Sequence, residues 1–310
     1  MTKIGRSGTL MKKTLIKNGT LVSPQKSFKA DILISHSQIE KIAETIDDKD
    51  AEILDASDKL ILPGLIDPHT HMGIPVRGTT SADDFESGTL AALHGGVTTI
   101  IDFTVQDKGE SLKESLNRRK EAAHGKASVD YAFHCNITDS DEERIKEIPE
   151  IVESGVISFK VFTAYREAGM QFNDRQILDI LWQVKMSKGT VMVHAENGDL
   201  IDFLTAKYVK YEKTNAGYHP LSRPAEAEIE AVSRILTLNK FIQCPIYFVH
   251  LSTAEAVQMA ALSKQRKHPV YLETCPQYLV FDQSIYDEKN GYWYIAAPPF
   301  RTKDDSNFLW

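Results

Sequence analysis

The chain has 310 residues, 42% hydrophobic and 25% charged, with a formal net charge of −7; that balance suits a globular protein of one large domain, or one large and one small. No Lys/Arg-rich run offers a footprint for nucleic acid, and no stretch approaches the ~18 consecutive apolar residues of a membrane span. Cys135, Cys244 and Cys275 lie far apart and outside any C-x-x-C pair, which points to reduced thiols in a cytoplasmic protein.

Residues 1–12 lack the apolar core of a secretory signal and read as a disordered extension. Residues 13–62 hold short β-type segments, KTLIKNGTLV, ADILISHSQIEKIAE and AEILDASDKLILPG, bounded by Gly, Pro, Asn or Asp. With no amphipathic helix among them, they predict a small β-sandwich module, incomplete without a C-terminal partner. From residue 63 to 310 the pattern changes. Apolar strand candidates at 96–103, 129–137, 156–162, 190–196, 245–251 and 269–275 alternate with helical stretches such as NDRQILDILWQVKMSKG and TAEAVQMAALSKQ. Continuous runs of Val, Ile, Phe and Tyr suit strands covered on both faces, and strict alternation implies parallel strands with right-handed crossovers. Counting a strand at 60–66, seven β units are visible, against eight units and about 250 residues for an α/β (β/α)8 TIM-type barrel. A hairpin is predicted at Asn290–Gly291, before YIAAPPF. The chain is expected to end short of the eighth strand and helix.

The stretch LILPGLIDPHTHMG, 60–73, carries the first chemical signal. On a β-strand, residues two apart share a face, so His69 and His71 would point together, with Asp67 one step behind. An isolated H-x-H is ordinarily a hydrogen-bonded surface pair. Here, however, VMVHAENGD ends the fifth strand in His194 and IYFVHLS ends the sixth in His250. Four imidazoles at one level of a barrel mouth make the beginnings of a metal site. The fourth strand, ISFKVF, places Lys160 in an apolar run. A buried ammonium is costly unless paired or neutralised. Lys160 either pairs with a carboxylate such as Glu196, or reacts as the neutral amine with carbon dioxide to form a carbamate able to bridge two divalent metals.

The ordered blocks GLIDPHTH, TSADDFESGTLAALHGGVTTIIDF, FKVFTAY, VHAENGD, LSRPAEAE, VHLS and ETCPQYL run from about residue 60 to 301. They resemble the cyclic amidohydrolases of the amidohydrolase superfamily, most of all its dihydropyrimidinase and D-hydantoinase branch. The resemblance implies two divalent ions, zinc first, with manganese or cobalt admissible. By it, His69 and His71 hold one metal, His194 and His250 the other, and carboxylated Lys160 bridges them. Tyr165 meets the substrate carbonyl and stabilises its developing charge; Phe162 lines the pocket. Ala297 takes a place where a serine commonly offers its backbone carbonyl, and the family's aspartate, sixth ligand and proton shuttle, would fall beyond Trp310. The implied reaction is attack by metal-bound hydroxide on 5,6-dihydrouracil or a 5-substituted hydantoin, giving an N-carbamoyl amino acid. A homotetramer acting on a small cyclic amide is implied as well.

Other members of the superfamily define the alternatives. Dihydroorotases commonly follow H-x-H with Arg, whereas Met72-Gly73 stands here; allantoinase fits less well. A mononuclear deaminase would not need Lys160. A non-catalytic homologue would typically have lost the four histidines and the lysine.

Overall fold

Short strands bounded by turns build the N-terminal unit. The computed structural model describes residues 13–76, 78–139 and 141–310, so the extension expected over 1–12 lies outside the described residues. The chain divides into two units at Leu65/Ile66. The first holds β1 (Thr14–Lys17), β2 (Thr20–Val22), β3 (Ser27–Lys29), β4 (Asp31–Ser35), β5 (Gln38–Ala43), β6 (Glu52–Asp55) and β7 (Leu60–Ile61). They form one sheet in the order β5-β4-β1-β6 and another in the order β3-β2-β7. Successive side chains of β1 serve different clusters: Leu15 packs with Leu33 and Ile46, while Ile16 packs with Leu21, Ala30 and Ile32. That is the period-two alternation of a strand between two apolar layers.

The second unit is α/β. It takes all of β8 (Leu65–Thr70) but its first residue, followed by a small antiparallel pair, β9 (Pro75–Val76) and β10 (Thr79–Thr80). Then come β11 (Val97–Phe103), β12 (Asp130–Asn136), β13 (Ser158–Phe162), β14 (Thr190–His194), β15 (Ile246–Phe248) and β16 (Val270–Leu272). Together with β8 they make a seven-stranded sheet in chain order, with parallel pairs from β11 through β16. It is the curled half-barrel of a TIM-type fold. Helices fill the crossovers, and their starts carry side-chain caps: Asp84, Ser111, Asn173, Asn197 and Thr253 each accept from a backbone N–H one turn ahead. The core between sheet and helices includes the fully buried Ile100, Phe159, Val191 and Phe248. Among the described residues no helix is long and apolar enough to cross a membrane.

Four expectations change. The strand placed at 60–66 is two strands in two sheets: β7 pairs with β2, and the half-barrel begins at Leu65. Pro63 and Gly64 break the run. DEERIKEIPEIVESG, residues 141–155, predicted as one helical stretch, is two short helices, Glu142–Lys146 and Ile148–Glu153, the second with Pro149 in its first turn. There a proline needs no helical N–H. Asn290–Gly291 turns into the 3-10 segment Gly291–Tyr294, not a hairpin. A further helix, Gly198–Lys210, fills a stretch with no helical prediction.

Candidate metal centre

The parallel sheet brings the predicted ligands to one end. His69 lies in β8 and His71 directly after it; Lys160 lies within β13, and His194 is the last residue of β14. His250 falls two residues beyond β15 at φ 43°, in the left-handed region. The sequence put it on the strand itself. Phe103, the fully buried end of β11, forms the floor. Its ring centroid lies 4.7 Å from that of His69, 4.8 Å from that of His71 and 4.3 Å from Lys160 Nζ.

Two carboxylates choose which imidazole nitrogen faces inward. His69 Nδ1 is 2.6 Å from Glu273 Oε1, which leaves His69 Nε2 facing Lys160 Nζ at 3.3 Å. His194 Nε2 is 2.7 Å from Glu196 Oε2, which leaves His194 Nδ1 facing His250 Nε2 at 3.0 Å. Each carboxylate accepts the N–H of its histidine, fixing the tautomer and leaving the inward nitrogen a lone pair. Burial lowers the pKa of all four histidines, and the nearby Lys160 adds to the effect. Neutral imidazoles are what a metal requires.

Lys160 is 3% exposed, and burial lowers its pKa from 10.5 to about 8. The alternative pairing with Glu196 does not occur. Glu196 is instead taken by His194 and by Arg223 Nη2 at 2.9 Å. Among the described residues no carboxylate comes within ion-pair distance of Lys160 Nζ. Further, His71 Nδ1 and His250 Nδ1 are buried without a hydrogen-bond partner. Neutral imidazole nitrogens, two of them orphaned, clustered with an amine of lowered pKa, are a donor set that fits divalent cations.

Tyr165 stands five residues after Lys160 at φ 72°, a conformation few non-glycine residues adopt. Its ring centroid is 4.8 Å from that of His194, and the Arg223 guanidinium carbon lies 5.1 Å from the Tyr165 ring. Phe162 is buried, with its ring centroid 5.8 Å from that of His194. Ala297 is exposed. The carbonyls beside it are engaged, Ala296 O by His219 Nε2 at 2.6 Å and Pro298 O by the Tyr278 hydroxyl at 2.7 Å.

The Amidohydrolase family model matches residues 60–239, more than half of the chain. The chain belongs to the amidohydrolase family. It is 44% identical over 299 residues to the D-hydantoinase of Geobacillus stearothermophilus and 40% identical over 298 residues to that of Rhizobium radiobacter, each match covering 96% of this chain. It spans 63% and 65% of those relatives' lengths. Among solved structures, the dihydropyrimidinase from Brevibacillus agri NCHU1002 matches with a TM-score of 0.93 at 39% identity, over 96% of this chain and 65% of that one.

Within this amidohydrolase chain, several site residues carried no warning in the sequence reading. Glu273, two residues before Cys275 in ETCPQYL, shows only as a charge ending an apolar strand. Asp102 and Arg119 form a buried ion pair that holds the turn after β8. Asp102 accepts from Thr70 Oγ1 and Met72 N, both at 2.9 Å, and from Arg119 Nε at 2.7 Å. Arg119 in turn donates to Met72 O at 2.5 Å. Asp102 sits between Ile101 and Phe103, so an acidic residue inside an apolar strand was the available signal.

Proposed function

We propose that this chain carries the catalytic face of a binuclear-metal hydrolase that opens cyclic amide or ureide rings. The expected substrate is 5,6-dihydrouracil or a 5-substituted hydantoin, and the product an N-carbamoyl amino acid. Lys160 carries the reading: an amine buried among imidazoles, without a carboxylate beside it, has little structural purpose. With its pKa lowered to about 8 by burial, an appreciable fraction is neutral near neutral pH. That amine adds to carbon dioxide, forming an N–C bond and losing a proton, to give an anionic carbamate with two ligand oxygens. His69 and His71 would serve one cation, His194 and His250 the other, with the Lys160 carbamate between them. When bound, such cations activate water and polarise a carbonyl oxygen.

The chain's own groups do the rest. Glu273 and Glu196 hold the imidazole tautomers. Phe103 closes the floor against water. The Tyr165 hydroxyl donates to the carbonyl oxygen as charge builds there. In the net reaction the ring C–N bond breaks, water's oxygen stays on the former carbonyl carbon, and the nitrogen gains a proton. The names of the similar proteins, D-hydantoinase and dihydropyrimidinase, support this substrate class.

The test is ring opening of dihydrouracil, phenylhydantoin, dihydroorotate and allantoin by zinc-loaded protein. Turnover of the first two, lost on Lys160→Ala together with half the bound zinc, is the expected result. Turnover of dihydroorotate alone would overturn the branch. Lys160→Ala with unchanged zinc and turnover would overturn the binuclear site.

A further inference from the structure

Glu273 lies just beyond β16, and its side chain is 8% exposed. A single oxygen, Oε1, accepts from two donors: His69 Nδ1 at 2.6 Å and the His250 backbone N–H at 3.0 Å. The other oxygen, Oε2, accepts from the Tyr247 hydroxyl at 3.0 Å. The Glu273 main chain grips the same turn, donating to Phe248 O at 2.9 Å and accepting from Leu251 N at 2.7 Å. His250 therefore sits in its left-handed conformation between a backbone clamp and a carboxylate. That carboxylate also orients an imidazole from β8, 204 residues earlier in the chain. Glu196 is different. Its carboxylate touches one candidate ligand, His194, and otherwise accepts from Arg223.

On the binuclear reading above, His69 and His250 belong to different cation positions. We infer that Glu273 is a positioning residue coupling the two: its carboxylate sets the ring of one ligand and the backbone of the other, so that losing it weakens both cations together. It touches neither substrate nor metal. Its influence passes through the His69 tautomer and the direction in which His250 points.

The experiment uses the full 310-residue chain, stripped of metal and titrated with zinc against a chelating indicator. Unfolding of the stripped protein is followed in parallel. Wild type is expected to take two zinc ions. Glu273→Met keeps the chain length but has no acceptor; it should lose roughly 10–100-fold in affinity at both positions, while the stripped protein unfolds near the wild-type midpoint. Glu273→Gln should recover most of that loss, because its amide oxygen can still accept both N–H groups. Tyr247→Phe, which leaves Oε1 untouched, should bind as wild type. Should the methionine variant fail to fold, Glu273→Asp, one methylene short of both donors, takes its place.

Unchanged affinities in the variant that lacks the acceptor, a loss confined to one zinc, or no recovery with glutamine would each overturn the inference. These outcomes leave the proposed function standing. Wild-type protein that takes up no zinc removes the proposed function and this inference with it.

Discussion

Replacing Lys160 by methionine should stabilise the metal-free protein. Burial lowers the Lys160 pKa from 10.5 to about 8, so the folded state disfavours the ammonium by about 3 kcal/mol at pH 7. Against this stand a contact with His69 Nε2 at 3.3 Å and the Phe103 ring at 4.3 Å, worth about 1 kcal/mol each. Methionine fills similar volume without a charge. The expected net gain is about 1–3 kcal/mol, read from urea unfolding of chelator-treated protein at pH 7. The sign with pH follows from linkage. Well below about 8 the amine is protonated in both states and the penalty is complete. Between about 8 and 10.5 the unfolded chain still holds a proton that the folded chain has released, so wild-type stability rises. The advantage of Lys160→Met should therefore shrink across that window and be gone above it. A variant less stable at pH 7, or an advantage flat in pH, would refute the claim that this lysine is held at a thermodynamic cost. Ring opening should be lost in the same variant, since the proposed function requires the amine that stability disfavours.

Three further outcomes follow from the geometry. Tyr165→Phe should retain its zinc but lose roughly 10²–10³ in kcat, as removal of an oxyanion donor does; steady-state kinetics with unchanged kcat would remove Tyr165 from that role. Arg119→Met leaves Asp102 buried without its cation and should cost about 3–5 kcal/mol in urea unfolding. A cost below about 1 kcal/mol would mean that the ion pair does not hold the turn after β8. Burial holds His134 at a pKa of about 4 against 6.5. It stays neutral in the fold while the unfolded chain takes up a proton, so stability should fall as pH drops from 6.5 towards 4, approaching a loss of about 3 kcal/mol. Urea midpoints at pH 7 and pH 5 check this, and equal midpoints contradict it.

The central strands of the half-barrel, β13 and β14, were legible because they are buried on both faces. Runs such as ISFKVF and TVMVHAE leave few alternatives, and β13 and β14 fall inside the predicted spans. The candidate ligand histidines were legible for a related reason, since polar residues at the ends of such runs stand out. The helix Gly198–Lys210 was not. Gly198 and Ile201 are its buried residues, so its face lacks a full apolar stripe, and Phe203 and Val209 are 59% and 58% exposed. The frame of β8 was lost because one apolar run, Leu60–Ile66, serves two sheets, and Pro63–Gly64 marks the break without saying which half belongs where.

What periodicity could not supply was the destination of each buried charge. LSRPAEAE stood as a block without a physical role, and neither Ser252 after His250 nor Arg301 after Phe300 was singled out. In the fold they meet: Arg223 bonds Glu196, Arg301 donates to Arg223 O at 2.5 Å and to Ser252 Oγ at 3.0 Å, and Ser252 donates through its Oγ to Glu228 at 2.7 Å. Glu196 closes this chain on His194. A charge inside an apolar segment must be paired, because leaving it bare costs several kcal/mol. Such a residue in a sequence therefore guarantees a contact and withholds its address. Glu196 shows the consequence. Weighed as a partner for Lys160, it turns out to be satisfied by Arg223 and His194, and that leaves the lysine amine without a carboxylate beside it.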